Sequence, residues 1–587
     1  MEKRTRSKSL LIGRAPALAA ASALAFACQG EIGGLHGAVG SGAPGSGQSP
    51  GGNPGSPGGS LLGPGPGSTT GGDGTSSTPD VNRVAIHRLN NAEYDNTMHD
   101  LLGTSSTPGK SFIEDEKLFG FDDIAAAFGM TDAQYEQYFD AADALAEETF
   151  ADPVRRAKIV TCTAGSSADT TCTRKIVTDF GLRAWRRPLE TAEVDRLVTL
   201  ASDALTNGED FNGSIKQVVK AMLSSVPFLY RVEADPDPAA TDAHLVGPYE
   251  MASRLSYLFW STMPDTDLMQ AAVKGNLVDP DVLSTEVDRL LADPRSSAFV
   301  SNFAGQWLGL RDLESHQVDP TVFPNWSEQL RTSMVDEGLA YFREFLSGSR
   351  GMNDFFTADV NFVDGPLAQL YGIGGGNGST ATKVTNTTDS RRGFVGLASF
   401  LTLTSYSYRT APTLRGKWVL ENLLCQDIPP PPPNVPKLDS ASADPSMLQS
   451  ENVRKRLEAH RADPTCASCH KILDPIGLGL ENFDAIGKYR ATYANGDAID
   501  ASGSLPDGTA FVGLSELTDA LSKDTRLLDC AAKKMMTYAL SREIVASDTT
   551  YTQKIQTQWT TDGLGLASLL KQIVLSDPFR YRRGEAP

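Results

Sequence analysis

Apolar residues recur at helical spacing along most of the chain after Asp80. In "AEVDRLVTLASDAL", Val194, Leu197, Val198, Ala201 and Leu205 fall on one stripe. "SIKQVVKAMLSSVPFLYR" repeats the pattern with Ile215, Val218, Val219, Met222, Leu223 and Val226, and "YEMASRLSYLFW" with Met251, Leu255, Leu258 and Phe259. These stripes read as core faces and carry no chemistry of their own. Thr191, with Glu193 close behind, marks the start of the first of these helices, and Pro or Gly marks the stops.

Two stretches interrupt the helical run. "GIGGGNGSTATKVTNTTDS" (372–390) is rich in glycine but lacks the GxGxxG order, and it predicts a solvated loop. "DIPPPPPNVPKLD" (427–439) predicts a stiff polyproline II strap, an internal connector. A β signal is found between 493 and 513, where Asn-Gly and Asp-Gly turns separate short alternating runs.

At 587 residues the chain is too long for one core, and about two to four domains are expected. Its 72 Asp and Glu against 53 Lys and Arg leave a net charge of -19. Such a surface repels a phosphate backbone, so no nucleic-acid partner is expected.

The first 28 residues predict an export signal. Lys3, Arg4, Arg6 and Lys8 precede an apolar run from Ala15 to Ala27, and Ala25-Phe26-Ala27 supplies small residues at a cleavage site. The run is shorter than the roughly 20 apolar residues of a membrane span. Cys28 follows directly and resembles the lipidation site of bacterial lipoproteins, although Ala25 stands where that motif usually has Leu. An acylated Cys28 would be the membrane anchor. Residues 29–80 are almost entirely Gly, Ser, Pro and Thr, and predict a disordered tether. As a random coil it would reach about 40 Å. The expected location is therefore extracytoplasmic, in the periplasm or at the outer-membrane or cell surface.

Export places the seven cysteines in a compartment that permits disulfides. Cys162 and Cys172 bracket a short polar loop and predict a local bridge. Cys425 and Cys530 then pair by elimination, and Cys466 and Cys469 remain. These two open "CASCH", residues 466–470. Two thiols three residues apart can add to the vinyl groups of a haem, and the adjacent histidine then meets the iron. The spacing predicts one covalent haem c, with Cys466 and Cys469 as attachment points and His470 as proximal ligand. A zinc site needs a fourth ligand, and His460 would have to serve. A thioredoxin-like redox pair would want a βαβ setting, which the surroundings lack. The iron's sixth position has three candidate ligands, Met535, Met536 and His460, or stays vacant, and the spacing does not choose among these. A methionine would raise the potential.

The stretch "HRADPTCASCHKILDPIGLGLENFDAIGKYR" is longer than a haem attachment site requires. It resembles the signature of a family of secreted, multi-domain c-type-cytochrome-like proteins found in planctomycetes and myxobacteria, built from consecutive domains of unknown function. "HRLNNAEYDNTMHDLLG", "FGLRAWRRPLETAEVDRL", "YEMASRLSYLFWSTMPDTDL", "RRGFVGLASFLTLTSYSYRTAPTLRGKWVLENLLC" and "CAAKKMMTYALSRE" are similar to further segments of that family, in its order. The resemblance covers essentially all of 81–582 and implies a surface or periplasmic haem protein. It carries His460 together with Cys466, Cys469 and His470. The charged residues Asp474, Glu481, Asp484 and Arg490 belong to the same signature, and either contact haem propionates or fix the loop.

The expected fold class is mainly α: a multi-domain helical body with a C-terminal cytochrome c-like haem segment and a short β-hairpin region, preceded by a disordered tether. The expected divisions are a signal peptide (1–28), the tether (29–80), helical domains at 81–150, 151–240 and 241–390, a domain with the strap and CxxCH (391–492), and a hairpin region with terminal helices (493–587). The expected function is that of an exported, tethered monohaem cytochrome with an unidentified redox partner. If the chain is an enzyme, it is a haem-dependent oxidoreductase, and no catalytic triad, metalloprotease helix or phosphate loop supplies other chemistry. The alternative is a surface binding or scaffold protein in which haem is structural or regulatory.

Overall fold

The computed structural model describes residues 81–82, 86–163, 170–237, 242–347, 350–374, 376, 378–386, 391–429, 452–462 and 464–583. The signal segment, Cys28, the tether and most of the polyproline strap lie outside the described residues. Helices dominate. Around one core, Asn91–Leu102, Asp132–Ala151, Thr170–Ala184, Thr191–Thr206 and Phe211–Leu223 bury Tyr94, Met98, Leu145, Ile176, Val219 and Met222. The first of these starts at a reciprocal cap: the Glu93 amide donates to Asn90 Oδ1 (2.8 Å) and the Asn90 amide to Glu93 Oε2 (3.0 Å).

A second and larger core runs from Phe121 to Phe579 and takes in Pro248–Trp260, Pro280–Ala292, Glu328–Ser347, Arg526–Leu540 and Leu566–Leu575. Its centre is aromatic. Phe303 lies 5.1 Å from Phe299, 5.3 Å from Tyr538 and 5.6 Å from Phe121, centroid to centroid. Residues more than 400 positions apart thus share one packed layer, and the described residues form one compact unit. No helix among the described residues is long and apolar enough to cross a membrane.

Strands occur as antiparallel pairs. β1 (His87–Arg88) pairs with β2 (Tyr230–Arg231), and β3 (Ala243–Leu245) with β8 (Tyr581–Arg583). β4 (Val360–Val363) pairs with β5 (Thr382–Thr385), and β6 (Ser502–Ser504) with β7 (Ala510–Val512). Only the last pair falls where alternation predicts it. β5 lies inside the 372–390 stretch expected to be a loop. β1, β2, β3 and β8 are two or three residues long, too short to show a period, and their partners are far away in sequence.

The helical stripes are buried as expected, with local corrections. Val226 does not continue the Phe211–Leu223 helix: Ser224 and Ser225 end it, and Val226 opens a separate turn (Val226–Leu229) with 58% of its surface exposed. The helix expected to begin at a Thr191 cap is capped one residue earlier, where the Glu190 amide donates to Glu193 Oε2 (2.8 Å). Cys162 and Cys172 are disulfide-bonded, as are Cys425 and Cys530.

The CxxCH helix (Pro464–Leu478) packs most closely on the helix Pro412–Trp418. A Cβ at Gly416 would stand 1.9 Å from Leu473 O, and one at Gly477 would stand 1.8 Å from Pro412 O. The two backbones touch, and each crossing point has room only for a hydrogen. Gly477→Ala is therefore expected to cost about 1–3 kcal/mol. Urea unfolding should show a lower midpoint at an unchanged slope; an unchanged midpoint would mean that the helices are not in backbone contact.

Candidate functional site

Cys466, Cys469 and His470 stand at positions i, i+3 and i+4 of the CxxCH helix, and Asp474 follows one turn later on the same face. Both thiols are outside disulfides and half-buried. The imidazole is held from below. His470 Nδ1 lies 3.0 and 3.2 Å from the two oxygens of Asp474, whose side chain is fully buried. Asp474 Oδ1 also accepts the Thr413 hydroxyl at 2.7 Å, and Arg461 Nε lies 3.9 Å from Oδ2. With Nδ1 committed to this carboxylate, Nε2 is the nitrogen left to meet a metal. A carboxylate behind the histidine also raises its basicity as a ligand.

The residues expected to complete the iron's coordination are placed differently. His460 ends the helix Val453–His460, and its ring meets that of His470 edge-on, with centroids 4.7 Å apart and planes at 73°. Met535 and Met536 are both fully buried in the helix Arg526–Leu540, which packs against Thr549–Thr561 and Leu566–Leu575. The Met536 sulfur sits 3.7 Å from the Thr552 hydroxyl. Their environment is that of core methionines. Among the described residues no three His, Cys, Asp or Glu side chains converge on a metal position.

The other charged residues of the signature lock the segment after the helix. Glu481, fully buried, accepts the Thr410 hydroxyl (2.8 Å) and pairs with Arg490. Burial pushes its carboxyl up, against the pull of Arg490 and Arg415. Asp484 Oδ1 accepts the amides of Ile486 (3.0 Å) and Lys488 (2.8 Å), which closes a tight turn. Glu481 and Arg490 also line a solvent-open hollow of about 370 Å³, together with Phe323 and Arg409. Cys466, Cys469 and His470 are not part of its wall.

Sequence reasoning passes over Arg415, yet this residue holds the site's scaffold. It is fully buried one position before Gly416, and its guanidinium donates to the carbonyls of Leu480 (2.8 Å), Phe483 (3.0 Å) and Asp484 (2.9 Å). Burial lowers its pKa to about 10, so it stays charged at neutral pH. The signal that could have found it is "LRGKW": an arginine directly beside a glycine within a helix.

Five family models match, each described as a protein of unknown function. In chain order they cover residues 87–151 (DUF1587), 172–233 (DUF1595), 246–373 (DUF1592), 391–493 (DUF1588) and 507–579 (DUF1585). Five consecutive domains of unknown function thus follow one another between residues 87 and 579. The whole CxxCH assembly, from Arg415 to Arg490, belongs to the DUF1588 domain, and Met535 and Met536 to the DUF1585 domain. No curated protein and no solved structure matches the chain.

Within the DUF1588 domain the guanidinium of Arg415 binds the carbonyls of Leu480, Phe483 and Asp484 together, while Arg490 Nε reaches only that of Glu481 at 3.4 Å. Arg415→Ala is expected to lower stability by about 3 kcal/mol or more, because it strands several buried carbonyls at once. Chemical denaturation of the variant measures this, and a loss below about 1 kcal/mol would show that those carbonyls are reached by water.

Proposed function

We propose that this five-domain chain is an exported, tethered monohaem c-type protein that transfers electrons or carries out a haem-dependent redox reaction. The observation that carries the reading is the His470–Asp474 hydrogen bond beside two unbridged thiols on one helical face. The donor set fits the attachment side of a c-type haem: two accessible sulfurs at the required spacing, and an imidazole whose Nδ1 is already engaged. Bound there, haem would supply a one-electron iron couple. The residues would divide the work. Cys466 and Cys469 would fix the macrocycle through thioethers, His470 would offer Nε2, and Asp474 would hold the ring's orientation and proton.

Of the three candidates for the sixth position, His460 alone stands beside His470, while Met535 and Met536 fill the core; its ring touches that of His470 and would have to turn aside for a haem to enter between them. The matched families are of the cytochrome-c-like multi-domain type, a hint in the same direction. Two disulfides, Cys162–Cys172 and Cys425–Cys530, support an oxidising compartment and hence export.

The test is a pyridine haemochrome spectrum of the chain co-expressed with a cytochrome c maturation system. A c-type band that survives acid-acetone extraction, and that is absent from a Cys466→Ala/Cys469→Ala control, is the expected result. A folded product without haem would overturn the proposal. In the loaded protein, His460→Ala should open the iron to added imidazole, while Met535→Leu and Met536→Leu should leave the ferric spectrum unchanged. The reverse pattern would assign the sixth position to a methionine.

A further inference from the structure

Away from the CxxCH helix, four of the five domains meet around a second cavity. His87 on β1 and Asp123 come from the DUF1587 domain, Arg231 on β2 from DUF1595, Tyr257 from DUF1592, and Tyr538 from DUF1585. The cavity offers about 70 Å³ of space that water can occupy, and its mouth opens to solvent.

Three polar atoms in its wall have no partner: His87 Nδ1, Asp123 Oδ1 and Arg231 Nε. His87 and Asp123 are 4% and 5% exposed. An orphaned buried polar group destabilises the fold unless something enters the cavity to meet it. Their chemistry is defined. His87 Nε2 lies 3.1 Å from Glu93 Oε2. Burial and Arg231 lower the His87 pKa to about 4, so the ring is neutral and Nε2 carries the hydrogen shared with Glu93. Nδ1 is then an acceptor. Although burial opposes it, Arg231 and His87 hold Glu93 ionised, with a pKa lowered to about 2. Burial, Asp122 and Glu93 push Asp123 well above the usual carboxylate range, which favours its neutral form, a donor as well as an acceptor. Arg231 Nε–H is a donor, and its guanidinium lies over the Tyr257 ring at 5.0 Å.

The remaining charges of the wall are already spent. Arg254 is bidentate to Glu233 (2.5 and 2.6 Å), and Arg187 is bidentate to Glu193 (2.9 and 2.8 Å). Arg186 donates to the carbonyls of Pro227, Phe228 and Tyr230. Of the rest, Arg231 keeps its charge opposite the ionised Glu93, which offsets it, and burial pushes the Glu250 carboxyl up, so the cavity carries little net charge to attract an ion. What it leaves open is one acceptor, one carboxyl that can both give and take, and one N–H, set among aromatic rings that include Trp185 and Tyr249. Hydroxyl groups on an apolar ring skeleton meet that set, since each hydroxyl both donates and accepts while C–H faces lie on aromatic rings.

We propose that this cavity is a binding site for a neutral sugar, recognised through its hydroxyls by His87, Asp123 and Arg231. The site is independent of the haem reading. It requires only that the four domains close on one another as they do here.

Saturation-transfer NMR on the full chain tests it, with D-glucose, D-galactose, D-mannose and D-xylose as separate probes and inorganic phosphate as competitor. Transfer from at least one sugar, undisturbed by phosphate, is expected. His87→Gln and Asp123→Asn, each near in shape to the residue replaced, should weaken that sugar by about tenfold or more, while Lys175→Ala on the surface should not. Circular dichroism melts confirm that the variants fold. Absence of transfer from all four sugars would mean that water alone fills the cavity and would overturn the proposal. So would displacement by phosphate, or unchanged binding in both folded variants. If one variant fails to fold, the other together with the unsubstituted chain decides.

Discussion

Two helices touch backbone to backbone at Gly416 and Gly477, and the geometry around CxxCH depends on that contact. No side chain separates them, so the residues flanking each glycine come within reach of the opposite helix. Thr413 reaches Asp474, and Asp474 in turn holds His470. Arg415 reaches past the helix end into the carbonyls of 480–484. A methyl group at either crossing would push the helices apart and loosen both sets of bonds together, since they share one interface. The imidazole's orientation is thus a consequence of helix packing several residues away.

The same economy holds at larger scale. The chain closes on itself through strands of two to four residues and one aromatic layer. β1 meets β2 across about 140 residues and β3 meets β8 across more than 300. Such short pairs contribute few hydrogen bonds. Their effect is positional: they pin the ends of helices whose apolar faces supply the stability. The Cys425–Cys530 bridge adds a covalent tie between the DUF1588 and DUF1585 domains, which the shared core already joins.

Buried charge marks the places where domains meet. Arg186 and Glu233 are each surrounded by partners that satisfy them, as burial requires. The cavity at His87, Asp123 and Arg231 departs from that rule, and it does so where segments distant in sequence come together. A polar group left unmet at a domain junction, beside others that are fully met, is a property of a site more than of a core.

Helix content, the core stripes and the hairpin near 500 were legible along the chain, because periodicity is a local property and the hydrophobic effect acts on it directly. CxxCH was legible for the same reason: its chemistry needs only five adjacent residues. The local cysteine pair, Cys162 and Cys172, belongs with these. Apart from the Cys425–Cys530 bridge, reached by elimination, what the chain could not reveal was set by residues far apart. The strands β1, β2, β3 and β8 are too short to carry a period. The role of Arg415 depends on where the segment at 480–484 lies, and the placement of His460 against His470, with Met535 and Met536 in the core, follows from how helices pack. The sequence by itself determined which stretches become helices and which residues have the chemistry to bind. Only the tertiary structure decided which of those residues meet, because contact between distant segments is fixed by the packing of whole faces and leaves no mark on neighbouring positions.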